Sequence, residues 1–114
     1  MRKRITQLIY LNLIIYVLIS SNAIIAQIES SGLGGLWSEE TTWIGSSVPI
    51  SGDDVIINGP VVINIAAACN NITIEASGSL SNIGSGNRTL TINGDITNHG
   101  STFDVTYDLT LNIY

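Results

Sequence analysis

The acid–base and nucleophilic side chains of this chain are few: nine acidic residues, four basic ones, one histidine and one cysteine in 114 residues. Asp53-Asp54 follows Gly52 at the start of an apolar phrase. Paired carboxylates at a turn can hold Ca²⁺ with the help of backbone carbonyls, or they can cap the turn by accepting backbone N–H groups. The repeated Gly-x-Asp pattern of a calcium-binding β-roll is missing, and Asp95 stands in a comparable corner on its own. Capping is therefore the expected role, with no metal and no other cofactor. Glu39 and Glu40 lie between Trp37 and Trp43. Indole faces stack on sugar rings while carboxylates accept hydroxyl hydrogen bonds, which makes Trp37 and Trp43 the candidate ligand contacts. The competing role for both rings is packing in the core.

Catalysis finds little support in the remaining residues. His99 is the one histidine and sits between Asn98 and Gly100 in a turn-like context, where it reads as an exposed corner; a lone imidazole cannot build a zinc site. A polysaccharide lyase would need clustered acids and a Lys or Arg base, yet Arg88 follows Ser85-Gly86-Asn87 with no second base in reach. Glycosidases need two carboxylates held about 5 to 10 Å apart, and nothing in the spacing makes any pair converge. Cys69 cannot form an intrachain disulfide; in the run Ala66-Ala67-Ala68-Cys69 it reads as a small buried apolar residue. The expectation is a protein without catalysis of its own.

The elements that carry these residues are announced by a recurring phrase. It appears as Val55-Ile56-Ile57, Ile72-Thr73-Ile74, Leu90-Thr91-Ile92 and Leu109-Thr110-Leu111, with a nearly constant step from each start to the next. Such a period is the mark of stacked structural repeats. Alternation sends Ile72 and Ile74 to one face and Thr73 to the other. Coils stacked about 4.8 Å apart would align Ile72, Leu90 and Leu109 in one inward ladder and Ile74, Ile92 and Leu111 in another. Thr73, Thr91 and Thr110 would form one outward column. The first coil would hold strands at Val55 to Ile57 and Val61 to Ile65, the second Ile72 to Glu75 and Leu80, the third Leu90 to Ile92 with Ile96 and Phe103, and a fourth would begin at Leu109. Helical spacing is absent from this part of the chain.

The predicted fold is thus all-β: a short right-handed parallel β-helix, or β-solenoid, of three to four coils with a Trp-containing N-terminal cap. The alternative is a small antiparallel β-sandwich closed by hairpins through turns such as Asn93-Gly94. Asn side chains, nine of them after position 26, suit corners in which each amide bonds to the coil above and below. Leu109 to Tyr114 reads as a bare apolar strand, an exposed edge that invites self-association.

The N-terminus points to export. Arg2, Lys3 and Arg4 precede an apolar run from Leu8 to Ile19, too short to span a bilayer and followed by Ser21-Asn22-Ala23. Residues 1–26 read as a secretory signal peptide, 27–34 as a flexible leader, 35–52 as the cap and 53–114 as solenoid coils of a truncated chain. Without the signal, Arg88 alone faces nine acids, a net charge of −8. That surface repels phosphate backbones, so nucleic acid is excluded as a partner, and no membrane span is expected once the signal is removed. Asn71-Ile72-Thr73 and Asn87-Arg88-Thr89 match the N-glycosylation pattern, which matters only in a eukaryotic secretory route.

Gly35, Trp37, Thr42, Trp43, Pro49, Asp53, Val55 and Ile57, with the later run LTINGDITNHGSTFDV, give this chain a resemblance over about residues 35 to 105. It resembles the N-terminal β-solenoid region of large bacterial surface proteins exported by the type IX route, and is similar to the extracellular domain named for its eight glycines. The resemblance implies a secreted or cell-surface segment of a larger protein with a structural or adhesive role, and glycans or other surface proteins as partners. The alternative function is a carbohydrate-binding module, or the N-terminal part of a polysaccharide-processing β-helix protein.

Overall fold

The computed structural model describes residues 26–83, 88–99, 103–104 and 109–114, with the backbone alone for 103–104 and 109–111. Most of the predicted signal peptide, the Ser85-Gly86-Asn87 segment and Gly100 therefore lie outside the described residues. Eleven short strands follow one another: β1 (Gln27–Glu29), β2 (Gly35–Leu36), β3 (Asp54–Ile57), β4 (Pro60–Ile63), β5 (Ala67–Cys69), β6 (Ile72–Ile74), β7 (Ser79–Asn82), β8 (Arg88–Ile92), β9 (Ile96–Asn98), β10 (Phe103–Asp104) and β11 (Leu109–Ile113). A single 3-10 turn at Glu40–Thr42 is the only helical element among the described residues.

These strands form a β-solenoid of about three turns. One side carries the order β1-β3-β6-β9, a second β2-β4-β7-β10 and a third β5-β8-β11. Every pairing between these strands is parallel, so the antiparallel sandwich is not the fold. From β3 onward the chain visits each side once per turn, and period-2 alternation aims one set of side chains inward on all three. Val55, Ile57, Val61, Ile63, Ala67, Cys69, Ile72, Ile74, Leu80, Leu90 and Ile92 are buried and form one core with Ile28, Trp37 and Trp43. At about 1.5–3 kcal/mol for each large aliphatic chain fully buried, these ladders supply the main drive for folding.

The ladders differ from those read off the repeated phrase. Val55 and Ile72 do share a side, but the next residue above them is Ile96, and Ile57 and Ile74 continue to Asn98. Leu90 stands over Ala67 and is followed by Leu111; Ile92 stands over Cys69 and is followed by Ile113. The outward threonines split in the same way, Thr73 pairing with Ile56 and Thr97 and Thr91 with Ala68 and Asn112, while Thr110 pairs with Thr89. Leu90 to Ile92 therefore closes the second coil instead of opening a third. The physical reason is that all three sides impose the same inward-apolar alternation, so similar phrases need not occupy the same side. The real coil step is also uneven. On the first side Ile28, Val55, Ile72 and Ile96 stand one above another, and the middle step is much shorter than the two that flank it.

Three local expectations also change. The segment 27–34, expected as a flexible leader, contains β1: Ile28 points into the core, and Gln27 to Glu29 pair with Asp54 to Ile56. Strand β4 stops at Ile63, and Ile65 faces solvent. It opens on Pro60, a position where a missing N–H is tolerated. Strand β5 arises from alanines that carry no strand propensity of their own; Ala67 and Cys69 nonetheless point into the core, in register with Leu90 and Ile92 of the next coil on the same side. Close packing at the corners selects glycine in two places. A Cβ on Gly34, whose φ is +66°, would overlap the Pro60 carbonyl, and one on Gly78 would overlap that of Ile57.

Candidate functional site

Trp37 and Trp43 lie inside the N-terminal end of the solenoid, before β3, and are 0% and 2% exposed. Trp37 is fixed by its backbone N–H, which donates to the Val62 carbonyl at 2.8 Å. Trp43 packs edge-on against it, with ring centroids 4.9 Å apart and planes at 74°, an arrangement favoured by the aromatic quadrupole. The Trp43 indole N–H donates to the Trp37 carbonyl at 2.9 Å, so its polar atom is satisfied within the core. The chain around Trp43 then crosses the outer side of β1: Ser30 and Trp43 form an antiparallel bridge, and the Ile44 N–H donates to the Glu29 carbonyl at 2.8 Å. A stacking platform needs an open ring face, and both rings have theirs against the core. They close the end of the solenoid, while Glu39 and Glu40 stand on the surface away from any such platform role.

The acidic pair acts in turn capping. Asp53 accepts the Ile50 N–H at 2.9 Å. Asp54 Oδ1 accepts the Asn70 amide at 2.9 Å and the Asn71 backbone N–H at 3.1 Å. One turn later the Asn71 side chain repeats the act, its Oδ1 accepting the Asp95 N–H at 2.8 Å. Successive coils are thus locked at one corner by an Asx residue of each capping the next. Among the described residues no group of three or more His, Cys, Asp or Glu side chains is placed to hold a metal ion.

The other two corners use the same chemistry. Ser30 Oγ accepts the Asn58 N–H at 2.8 Å, and the Ser77 hydroxyl donates to the Asn58 carbonyl at 2.9 Å. Asn64 and Ser38 exchange two hydrogen bonds, at 3.2 and 2.8 Å. The asparagine corners expected from the sequence are built in this way. His99 is exposed, as its turn context suggests, and its Nδ1 lies 2.9 Å from Glu75 Oε2 of the coil below. Arg88 opens strand β8 instead of occupying a turn. Cys69 is fully buried, and desolvation, with the nearby Asp54 charge adding to it, pushes its thiol up to about 12. A thiol held neutral in this way is inert.

The surface feature that sequence reasoning missed is a depression of about 300 Å³ on the outside of the β1-β3-β6-β9 side. Two outward columns border it. One runs Gln27, Asp54, Asn71 and Asp95 through successive coils; the other includes Ile56, Thr73 and Thr97 in register. The signal that could have found it is the pair of phrases Asn71-Ile72-Thr73 and Asp95-Ile96-Thr97, each a polar-Ile-Thr triplet. Their separation is longer than the apparent period of the apolar phrases, which hid it.

Together the parallel pairing, the three-sided core and the corner ladders define the class of this protein as a β-solenoid. No family model, curated protein or solved structure matches the chain. No helix among the described residues is long and apolar enough to cross a membrane.

Proposed function

We propose that this chain is a secreted or cell-surface β-solenoid segment of a larger surface protein, structural and adhesive in role and without catalysis of its own. The observation that carries the reading is the use made of its polar side chains. The side chains of Asp53, Asp54, Asn58, Asn64 and Asn71 are engaged in holding turns and coils together, leaving the outer faces of the sheets as the surfaces for contact. The basic, apolar and small-residue order of residues 1–26 supports export, and the resemblance of the Trp37 to Ile57 region supports the type IX route. Glycans or other surface proteins are the partners this reading implies, and the outer side of β9 and β11 is the edge through which self-association would run.

The test is to express the full chain with a C-terminal epitope tag in a type IX-competent bacterium and in a strain lacking that route. Mass spectrometry should find cleavage after Ala23 or Ala26, and protease added to intact cells should remove the tag only in the competent strain. An uncleaved chain that fractionates with the cytoplasm overturns the reading.

A further inference from the structure

We propose that the depression on the β1-β3-β6-β9 side is a binding groove for a neutral, hydroxyl-rich glycan lying along the solenoid axis. The proposal takes its setting from the adhesive reading above, while the binding depends on this groove alone. Four levels stacked about 4.8 Å apart carry the polar column from Gln27 to Asp95 over about 14 Å, room for a short oligosaccharide. The chemistry along it is mixed. The Asp95 carboxylate, the Thr73 and Thr97 hydroxyls and the Gln27 amide have no side-chain hydrogen bond among the described residues, whereas Asp54 and Asn71 are held rigid by their capping bonds.

A sugar hydroxyl both donates and accepts, so it is matched by a row that offers carboxylate acceptors, amide donors and hydroxyls that do either. Between these groups the Ile56 side chain and the threonine methyls supply apolar surface for the C–H face of a sugar ring. No cation among the described residues lines the groove, so uronates, sulfated glycans and nucleic acids are repelled by Asp54 and Asp95. A cationic peptide would need acceptors only, and the donors and methyls of the groove would go unused. The middle of the groove is preorganised, since Asp54, Ile56, Asn71 and Thr73 stand beside inward neighbours, Val55, Ile57, Ile72 and Ile74, that are locked in the core.

The experiment is an amide NMR titration of the full chain with cellohexaose, xylohexaose, mannohexaose and chitohexaose, and with polygalacturonate and hexalysine in parallel. At least one neutral hexaose should shift the signals of Asn71, Thr73, Asp95 and Thr97 with a Kd of about 1 mM or tighter. Thr73→Val and Asp95→Asn should each weaken that binding about 3- to 10-fold, the effect of losing one hydrogen bond, with circular dichroism and Tm unchanged. Should Thr73→Val disturb the strand, the exposed corner variant Asp95→Asn carries the comparison. The proposal falls if none of the neutral hexaoses shifts these signals, if the shifts map to another side, or if hexalysine or polygalacturonate alone binds there. A chain that binds glycan in the groove yet stays in the cytoplasm would overturn the surface reading and leave the groove standing.

Discussion

At the N-terminal end the outer side of β1 is closed by the antiparallel Trp43–Ile44 segment, and two indoles fill the interior behind it. At the other end no strand among the described residues pairs with the outer side of β9, β10 or β11. Ile96 and Ile113, which continue the inward ladders of Ile72 and Ile92, are 37% and 60% exposed there. Identical alternation thus has opposite results at the two ends, because burial in a solenoid comes from the neighbouring coil and not from the strand itself. An inward register contributes little until something stacks above it. The lesson extends to Asn98, which occupies the inward register of Ile57 and Ile74 yet lies exposed in the last coil.

Substitutions put this contrast to the test. The largest effect is expected in the middle of the core, where Ile92→Asp would place a carboxylate in a dry ladder and unfold the chain, a loss above about 5 kcal/mol. The outward neighbour Thr91→Asp should cost under about 1 kcal/mol. Urea unfolding followed by circular dichroism reads both, and equal effects would mean that inward and outward are misassigned. Next, Trp37→Ala empties the closed end and should cost about 3–5 kcal/mol, visible as a lowered urea midpoint together with increased exposure of Trp43 to acrylamide.

An enclosed level and the open end are compared most directly by one truncation made at two positions of the same ladder. Ile72→Ala, fully enclosed, should cost about 2–5 kcal/mol, whereas Ile96→Ala in the open coil should cost less, about 1–2 kcal/mol, since Ile96 is 37% exposed and part of its surface term is never gained. Similar values for the two would show that the last coil is covered in solution. A further test concerns pH. Cys69 is held neutral in the folded chain to about 12, against an ordinary value of 9.0. Above that lower value the unfolded chain gives up a proton which the folded chain keeps, so stability falls as pH rises, by at most about 1.4 kcal/mol per pH unit from this group. Below it Cys69 contributes no pH dependence. Urea midpoints measured between about pH 9 and 11 should decline, and Cys69→Ala should flatten part of that decline; an unchanged slope would place the thiol in contact with solvent.

Much of the architecture was legible because a β-solenoid writes its core in period 2. Ile72 and Ile74 inward with Thr73 outward, and Leu90 and Ile92 inward with Thr91 outward, follow from alternation alone. The corner role of Asp53 and Asp54 and the buried state of Cys69 were legible for a similar reason: short polar side chains beside glycine cap turns, and a small apolar residue in a run of alanines packs inside. Which side of the solenoid a strand belongs to was not legible. The phrases at 72 and 90 look alike, yet one lies on the first side and the other on the third, and the chain between them makes less than a full turn. Strand β5 was hidden because alanine gives no local strand signal, and β1 because a very short strand without a repeat partner in the sequence looks like linker.

For the candidate site the division runs the same way. Trp37 and Trp43 stood out by type, but whether an indole packs or presents its face depends on what closes over it, and here that is the chain's own crossing of β1. The groove residues Asp54, Asn71, Thr73, Asp95 and Thr97 are ordinary in sequence and become neighbours only through register. The strand class, the inward and outward alternation, the corner chemistry and the acidic, cation-poor composition could all be read from the chain, because each follows from residue types or from neighbours within a few positions of one another. Which coils stack, which outward columns meet and which end is closed emerged only on folding, because those features depend on pairings such as Gln27 with Asp54, Val55 with Ile72 and Ile72 with Ile96, whose partners lie too far apart in the chain for any local pattern to encode.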